Sequence, residues 1–506
     1  MIFVVYFIYS HYKSREYYSN IPIFRVFFYE SFMITDELGL KIRQNLVYLP
    51  TLMQEKAIEK WSAFLLSRAD NEIFLMKGYA GTGKSSLVGA LVQTLTQLKQ
   101  NVVLLAPTGR AAKVMSLYAQ APAYTIHKRI YRQKTFADMD SFQANVNLKS
   151  HTLFIVDEAS MIANEGLSGS MFGTGRLLDD LVHFVYSCEG CRLMLVGDTA
   201  QLPPVGEEES PALCSGLLQG YGLNVTEIEL TEVVRQTADS GILWNATSLR
   251  QLISNDEVYA FPRIRVGGFA DIRTLPGNEL IEALEESYYH CGTDQTIVVT
   301  RSNRRAIQYN QGIRGRILGY EEELSGGDLL MVAKNNYFWC KDNKELPFIA
   351  NGDVAVVRRF RNERTLYGFR FADVTLQLPD YDDMELDAVV LLDTLRSEAS
   401  ALTRQEQEQL FHNVWEDYPE ITNKQARAKK IKEDTYYNAL QVKYAYAVTC
   451  HKAQGGQWQR VFIDQGYVTE DMLSPDYFRW LYTAITRATE TVYLVNWPEN
   501  QLLQME

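Results

Sequence analysis

Gly78–Ser85 reads GYAGTGKS and directly follows the apolar run Ile73–Met76. The segment fits the pattern G-x-x-x-x-G-K-[ST], in which glycines let the backbone curl so that its N–H groups face phosphate oxygens. It lies between a predicted buried strand and an apolar-periodic helix, whereas an incidental glycine-rich turn would need neither neighbour. The stretch therefore predicts a parallel α/β domain with a phosphate-binding loop.

Short apolar runs alternate with helical stretches around this loop, from about residue 47 to 236. This alternation is typical of a parallel sheet covered by helices, and a second set of the same kind appears later in the chain. The predicted strands are Ile73–Met76, Val102–Ala106, Leu153–Val156 and Leu193–Val196, then Ile297–Thr300, Val461–Ile463 and Val492–Val495. Helices are predicted at Asn303–Leu318 and Tyr477–Thr486. Because 506 residues exceed what one hydrophobic core holds, we expect two to four domains.

The composition, with 46% apolar and 22% charged residues, is that of a globular protein. A net charge of −12 argues against coating nucleic acid through bulk positive potential. A local basic channel stays possible, because exposed charges are screened beyond about 10 Å.

Of six cysteines, only Cys188 and Cys191 have C-x-x-C spacing, and without a second pair they fit buried residues better than a metal site. This usage suits a reducing cytoplasm, the expected location.

Residues 1–46 are an N-terminal extension in this interpretation. The apolar run Ile2–Ile8 is too short to span a bilayer and no basic segment precedes it, so neither a signal peptide nor a membrane partner is predicted. Met33 begins the segment MITDE, which reads as a plausible N-terminus of a soluble protein. We hypothesise that the natural protein begins at Met33 and that the part upstream is mistranslated.

The phosphate loop predicts specific roles for its side chains. Lys84 would neutralise the β and γ oxygens of ATP, and the Ser85 hydroxyl would ligate Mg²⁺. A second apolar run ends in Asp157 and Glu158, which suit a metal ligand and a base that polarises the attacking water. The residues expected to hold the nucleotide in this loop are Gly78, Gly81, Thr82, Gly83, Lys84, Ser85 and Ser86.

Leu195–Gly206 reads LVGDTAQLPPVG and is less generic than either motif. Here the sequence resembles the superfamily 1 helicases, specifically the RecD-like and phage Dda-like branch that moves 5′ to 3′. The resemblance implies two RecA-like P-loop motor domains with a small inserted β-barrel domain, and ATP with Mg²⁺ between the motors. It implies an ATP-dependent DNA helicase acting on single-stranded and tailed duplex DNA. Gln201 would then sense the γ-phosphate and link it to DNA.

Further nucleotide contacts follow from the same resemblance. Thr51 and Gln54 look like the family's adenine-reading Q motif, although a lone glutamine on a helix is commonly just solvated. Arg235, in LTEVVRQ, and Arg487, in YTAITRA, match the two arginines that reach the γ-phosphate from the second motor domain. A planar guanidinium with a permanent charge suits the transferring phosphoryl group better than a lysine does.

Segments that hold the nucleic acid are also implied. Ala106–Lys113 and Thr125–Lys128 match the family in the first motor domain, and Val448–Gly456, reading VTCHKAQGG, matches it in the second. Hydroxyls, backbone N–H groups and cations bind phosphates without reading bases, as a motor on any sequence requires. The residues expected to contact DNA are Pro107, Thr108, His127, Lys128, Thr449, His451, Lys452 and Gln454. Arg110 and Lys113 fit equally well as helix-surface charges, and Gln457 stands where the family often has an acidic residue, so no contact is assigned to it.

The predicted domains are 47–237 for the first motor domain, with a strand-separating pin near 129–150, and 238–324 plus 438–506 for the second. The small β-barrel would occupy 325–437, with the turn Ala350–Asp353 leading into the strand Val354–Val357 and a charged helical arm at Thr403–Asp434. The barrel and pin assignments depend on their positions in the chain more than on particular residues.

Two other functions stay open at this point. An RNA-directed helicase of the same superfamily is one, because phosphate-tracking motifs barely distinguish the sugars. A P-loop nucleotide switch without unwinding activity is the other, although Arg487 and the segment Thr449–Gly456 argue against it. DNA repair and recombination are processes typical of the family, but the cellular pathway, protein partners and oligomeric state are not readable from these residues.

Overall fold

The computed structural model describes residues 36–133, 142–166, 173–233, 239–340, 346 and 348–503. The hypothesised start at Met33 lies outside these ranges. Within them, no helix combines the length and the apolar character needed to cross a membrane.

The first lobe alternates strands and helices around the phosphate loop. Its strands are β1 (Glu72–Gly78), β2 (Asn101–Ala106), β3 (Ala123–Thr125), β4 (Tyr131–Gln133), β5 (Phe142–Ala144), β6 (Thr152–Val156), β7 (Arg192–Gly197) and β8 (Asn224–Leu230). Its helices are α1 (Leu52–Leu66), α2 (Lys84–Gln97), α3 (Gly109–Ala119), α4 (Ile126–Ile130), α5 (Leu177–Tyr186) and α6 (Ser215–Gly220).

Six of these strands form a parallel sheet in the order β3-β2-β6-β7-β1-β8. Successive side chains of a strand point to opposite faces, so the central strand β1 feeds two cores. Ile73 and Leu75 join the core on one face, and Phe74 and Met76 join the core on the other. Trp61 of α1 covers the second face, with its ring centroid 6.1 Å from that of Phe74. Helices on both faces explain why the central strands are largely apolar.

β4 and β5 pair as a short antiparallel two-stranded sheet where the pin is predicted. The connection over residues 134–141 lies outside the described residues. Whether this two-stranded sheet separates strands stays a prediction.

The rest of the chain builds a second sheet and a barrel. Its strands are β9 (Ile272–Leu275), β10 (Thr296–Thr300), β11 (Leu329–Val332), β12 (Val354–Leu366), β13 (Phe369–Leu378), β14 (Met384–Leu391), β15 (Leu440–Tyr444), β16 (Ala447–Thr449), β17 (Trp458–Asp464) and β18 (Ala488–Val495). Its helices are α7 (Gly241–Ser254), α8 (Leu280–Cys291), α9 (Asn303–Gly312), α10 (Asp393–Arg396), α11 (Arg404–Glu416), α12 (Lys424–Lys432), α13 (Cys450–Ala453) and α14 (Pro475–Ile485).

The second lobe holds a parallel sheet in the order β16-β10-β17-β18-β9. Its neighbours β10 and β16 are far apart in sequence because β11–β15 are inserted between them and close into a barrel. The predicted fold class, two RecA-like α/β domains with a small inserted β-barrel, is confirmed. β15 belongs to the barrel, which therefore extends past residue 437, where the sequence placed the end of the insertion.

The predicted charged arm forms α11 and α12, and one face of it is buried against the barrel. Leu410, Val414 and Ile431 join Phe369 and Phe371 of β13 in a separate apolar cluster. The arm is thus attached through its own core, while its charged residues are exposed or half-buried.

Candidate functional site

The phosphate loop connects β1 to α2, as predicted. Gly81 and Gly83 adopt φ of 78° and 79°, the left-handed region that glycine enters without steric cost. A Cβ on Gly81 would also lie 2.7 Å from Cδ2 of Leu243 in α7. Lys84 Nζ donates to the carbonyl oxygens of Gly78 (2.6 Å) and Tyr79 (3.0 Å), so the loop itself holds the ammonium in this state.

Gln54 supports the loop from behind. Its backbone N–H donates to Thr51 Oγ1 (3.3 Å) and its Oε1 accepts from the Thr51 N–H (3.1 Å), a capping box that begins α1. Its Nε2 donates to the carbonyl of Thr82 (2.9 Å). Gln54 is buried and does not line the cleft described below, so the adenine contact implied for it stays a prediction.

Asp157 and Glu158 follow β6, at the carboxyl edge of the sheet. Asp157 Oδ2 accepts from the Tyr118 hydroxyl (2.5 Å) and Oδ1 accepts from the Glu158 N–H (2.8 Å). Glu158 adopts φ 52°, a left-handed conformation that is uncommon outside glycine. Burial raises the pKa of its carboxyl, Asp157 adds to the rise, and Arg487 and Lys84 oppose it. A carboxylate with a raised pKa is a better proton acceptor for general base work.

Ser85 and Asp157 both line the cleft, one at the start of α2 and the other at the end of β6. Hydroxyl and carboxylate oxygens are ligands that Mg²⁺ accepts, and this ion is commonly completed by water and phosphate oxygens. The two residues therefore fit the predicted ion. In the described residues there is no cluster of three His, Cys, Asp or Glu that could hold a metal by protein ligands alone, and this includes the surroundings of Cys191.

The turn after β7 carries Asp198 and Gln201. Asp198 Oδ1 accepts from the Ala200 N–H (3.0 Å), and the Gln201 N–H donates to the Asp198 carbonyl (3.3 Å). Gln201 is buried at the wall of the cleft, and its Oε1 has no hydrogen-bond partner in the described part of the chain. A buried, unpaired amide oxygen facing a cleft is expected to find a partner when the cleft is filled.

Arg487 extends from the second lobe toward these residues. Its Nη1 lies 3.9 Å from Glu158 Oε1 in the first lobe. Its Nε donates to the Thr483 carbonyl (3.1 Å) and its Nη1 donates to the Gly456 carbonyl (3.3 Å). These bonds hold the guanidinium in place, and the residue is only 4% exposed. Arg235, the other predicted arginine, lies outside the described residues.

A cleft of about 1150 Å³ separates the two lobes at this point. The predicted nucleotide and catalytic residues that line it are Gly81, Gly83, Lys84, Ser85, Ser86, Asp157, Glu158, Gln201 and Arg487. Gly78 and Thr82 belong to the same loop but do not line the cleft, and Thr82 is fully buried. The structure thus brings most of the predicted set to one place.

The predicted DNA segments of the two lobes meet beside this cleft. Pro107 follows β2, and Thr108 begins α3 by accepting from the Ala111 N–H (3.2 Å). A Cβ on Gly455 would lie 3.2 Å from Thr108 Oγ1 and 3.0 Å from Ala111 Cβ, so the second-lobe segment lies directly on the start of α3. Gln454 Nε2 donates to the Leu202 carbonyl of the first lobe (2.7 Å).

The other predicted DNA residues of the second lobe lie at the end of β16. Thr449 is the N-cap of α13 without a side-chain capping bond, and His451 is exposed. Lys452 is half-buried, and burial lowers the pKa of its ammonium. Lys443 is buried and lines the same groove as Lys452. The pKa of the Lys443 ammonium falls to about 8 because of its burial and the charge of Lys452. Two cations near one groove suit a phosphate ligand.

In the first lobe, His127 and Lys128 lie on α4. The His127 ring is 5.6 Å from the Tyr131 ring, and burial lowers the pKa of this histidine to about 4. His127 is therefore neutral at pH 7. The Lys128 ammonium lies 5.5 Å from the centre of the exposed Tyr124 ring.

Arg110 and Lys113, read from the sequence as DNA-track residues or as helix-surface charges, both make contacts beyond their own lobe. The Arg110 guanidinium lies 4.2 Å from the centre of the Trp458 ring and donates to the Gln457 carbonyl (3.1 Å). Lys113 Nζ donates to the Pro379 carbonyl of the barrel (2.5 Å). Sequence reasoning missed these contacts because their partners are hundreds of residues away.

Two tyrosines at the site were also missed. Tyr118 of α3 holds Asp157, and Tyr482 of α14 contacts the phosphate loop. Tyr482 lies within the quoted YTAITRA segment, five residues before Arg487, but no signal in that segment showed which residues its hydroxyl would contact.

Two family models match the chain. One, described as an AAA domain, matches residues 54–258, and the other, a UvrD-like helicase C-terminal domain, matches residues 444–495. The match to the first covers the phosphate loop and the Asp157 strand, and the second includes Arg487.

Curated relatives are similar over most of the chain. The uncharacterized protein R530 of Acanthamoeba polyphaga mimivirus is 21% identical over 84% of this chain and 95% of its own length. The ATP-dependent DNA helicase dda of Enterobacteria phage T4 is 23% identical over 83% of this chain and 93% of its own. The ATP-dependent RecD2 DNA helicase of Deinococcus radiodurans is 26% identical over 63% of this chain, which spans only 41% of that protein.

Among solved structures, the Pif1 helicase from Bacteroides in complex with ADP-AlF3 and ssDNA is similar with a TM-score of 0.47 and 15% identity. That match covers 91% of this chain and 95% of the other.

The two parallel-sheet lobes, with the phosphate loop in the cleft between them, define a P-loop protein with two RecA-like domains. The chain is similar to the superfamily 1 helicases of the RecD-like and Dda-like branch, and the resemblance that its sequence motifs indicated is confirmed.

Proposed function

We propose that this chain is an ATP-dependent DNA helicase that moves 5′ to 3′ along single-stranded DNA and unwinds duplex. One observation carries the proposal: Arg487 of the second lobe lies 3.9 Å from Glu158 of the first, at the cleft that Lys84 also lines. Such an arrangement makes hydrolysis depend on how the two lobes are placed, which is what a motor needs. The DNA-helicase names of two relatives support DNA as the track.

ATP would bind with its phosphates against the Gly81–Ser86 backbone. Lys84 would exchange the carbonyls of Gly78 and Tyr79 for β and γ oxygens, so its present contacts keep the ammonium near its working position. Ser85 and Asp157 would hold Mg²⁺, which when bound neutralises charge on the phosphate oxygens.

Hydrolysis would follow from residues on both sides of the cleft. Glu158 orients a water molecule and accepts its proton on the carboxylate, for which its raised pKa is suited. Arg487 stabilises the negative charge that develops on the transferring phosphoryl group. Gln201 offers its unpaired Oε1 to the water or its amide N–H to the γ-phosphate. Arg235 is proposed to act beside Arg487 on the basis of its motif.

Single-stranded DNA would be held by Pro107, Thr108, His127 and Lys128 in the first lobe and by Thr449, His451, Lys452 and Gln454 in the second. Gly455 lies close to Thr108, since a Cβ on Gly455 would be 3.2 Å from Thr108 Oγ1, so a change in the width of the cleft would alter the spacing of the two sets. Alternate gripping by the two sets would advance the strand. Tailed duplex DNA is the substrate such a motor opens, and repair or recombination of DNA are processes it would serve.

Steady-state ATP hydrolysis, measured with and without oligonucleotides, tests this proposal. Wild-type protein should be strongly stimulated by single-stranded DNA and less by RNA of the same sequence, and Lys84→Ala should abolish turnover. Equal or greater stimulation by RNA would favour the RNA-directed helicase. Near-normal hydrolysis by Lys84→Ala would show that the site is assigned wrongly, and turnover indifferent to nucleic acid would favour a nucleotide switch.

A further inference from the structure

Tyr482 connects the two lobes through its hydroxyl. The residue lies on α14 of the second lobe and is only 1% exposed. Its Oη accepts a hydrogen bond from the Ala80 N–H (2.8 Å) and donates one to Asp198 Oδ2 (2.6 Å). Both partners belong to the first lobe, one in the phosphate loop and the other in the turn that leads to Gln201.

The hydroxyl can accept one hydrogen bond and donate another at the same time. Burial raises the pKa of the Tyr482 phenol well above 10, and the charge of Asp198 adds to the rise. The group therefore stays protonated at neutral pH and can donate and accept simultaneously. A phenylalanine would fill the same space and lose both bonds.

Each partner matters to the nucleotide site. Ala80 is part of Gly78–Ser85, so its N–H direction influences the shape of the phosphate cradle. Asp198 Oδ2 is held by Tyr482 while Oδ1 receives the Ala200 N–H, and this pair of bonds orients the turn that places Gln201 at the cleft. One hydroxyl thus affects two walls of the site.

The same helix ends close to the catalytic arginine. Thr483 Oγ1 accepts from the Leu202 N–H (3.0 Å), and the Thr483 carbonyl accepts from Arg487 Nε (3.1 Å). Because Tyr482, Thr483 and Arg487 are linked through one rigid segment, they approach the first lobe together. A separation of the lobes would therefore break the bonds of Tyr482 together with the contact between Arg487 and Glu158.

We propose that Tyr482 is a positioning residue through which closure of the second lobe sets the phosphate loop at Ala80 and the sensor turn at Asp198 for hydrolysis. This inference rests on the proposed function. It assigns to Tyr482 an effect on the hydrolytic step, whereas the remaining loop amides and Lys84 provide most of the ground-state binding of ATP.

The test compares Tyr482→Phe with Tyr477→Phe. Tyr477 lies on the same helix and is also buried, but its hydroxyl donates to Gln465 (2.8 Å) within the second lobe. We expect Tyr482→Phe to lower the kcat of DNA-stimulated hydrolysis by about tenfold or more, with the KM for ATP changed less than about threefold. Tyr477→Phe should keep both values near wild type.

Thermal melts of both variants separate positioning from folding. Wild-type kcat in a folded Tyr482→Phe protein would overturn the inference, and so would equal losses of kcat and melting temperature in the two variants. If wild-type protein hydrolyses ATP without any response to DNA, the proposed function fails and this inference fails with it. A loss of kcat in Tyr482→Phe that Tyr477→Phe does not share supports the inference about Tyr482 but does not by itself test the helicase function.

Discussion

The guanidinium of Arg487 lies 3.9 Å from Oε1 of Glu158, and the two residues come from different lobes. Because they lie in different lobes, the distance between them depends on how the two lobes are placed relative to each other. Arg487 also opposes the rise in the pKa of Glu158 that burial causes, so the proposed base keeps a pKa that is raised less than burial alone would raise it.

Arg487→Lys should lower the kcat of ATP hydrolysis by about 10³-fold. The planar guanidinium lines the cleft while its Nε donates to the Thr483 carbonyl, and a lysine ammonium cannot do both. Steady-state hydrolysis with saturating single-stranded DNA measures the effect. Arg460→Lys is the matched control, since Arg460 pairs with Ser287 and Glu286 inside the second lobe. Wild-type kcat in Arg487→Lys would contradict the role assigned to this residue.

Gln54→Ala should raise the KM for ATP and GTP by similar factors, because the Gln54 amide supports the Thr82 carbonyl of the phosphate loop. Thr51→Ala is the control: it removes the helix cap, at a cost of about 1 kcal/mol in stability, but keeps the contact with Thr82. Its KM values should stay near wild type. A rise in KM confined to ATP in Gln54→Ala would show that this side chain reads adenine instead.

Asp353 should make the barrel less stable as the pH rises. Burial raises the pKa of its carboxyl to about 7, from an ordinary value of 3.8, and Asp380 adds to the rise. Between these two values the folded state keeps a proton that the unfolded state releases. The free energy of unfolding therefore falls with pH across this window, by up to about 1.4 kcal/mol per pH unit, and changes no further above it.

Asp353→Asn removes this dependence, since an amide does not titrate and its oxygen can still accept from the Tyr381 hydroxyl, which now donates to Asp353 over 2.9 Å. Melting temperatures of the two proteins, measured from pH 5 to 8, give the comparison. The melting temperature of the variant should rise relative to that of wild type as the pH rises toward 7. Parallel curves would show that Asp353 is ionised in the folded protein throughout.

The central strands of both lobes could be predicted because parallel strands buried on two faces are continuous apolar runs, as in Ile73–Met76. The edge strands were not predicted. β8 reads NVTEIEL and is only half-buried, while β9 has four residues with two of them exposed. Such segments become strands through pairing with a neighbour, and periodicity alone does not reveal that neighbour.

The site shows the same division. Sequence motifs predict roles in nucleotide chemistry for Lys84, Asp157 and Arg487, because each role needs a particular side chain beside a particular element, and the structure brings all three to one cleft. The hydrogen bond from Ala80 to Tyr482 joins residues 402 positions apart, so only the folded chain reveals it. The capping box of Thr51 and Gln54 is local and could have been read from T-x-x-Q, whereas the contact of Gln54 with Thr82 could not.

Strand displacement on duplexes that carry a 5′ or a 3′ single-stranded tail tests the central claim most directly. With ATP and Mg²⁺, wild-type protein should release the strand from the 5′-tailed duplex and leave the 3′-tailed duplex intact, and Lys84→Ala should release neither. Unwinding of the 3′-tailed duplex alone would contradict the polarity. No unwinding of either substrate by a protein whose ATP hydrolysis responds to DNA would contradict the helicase itself.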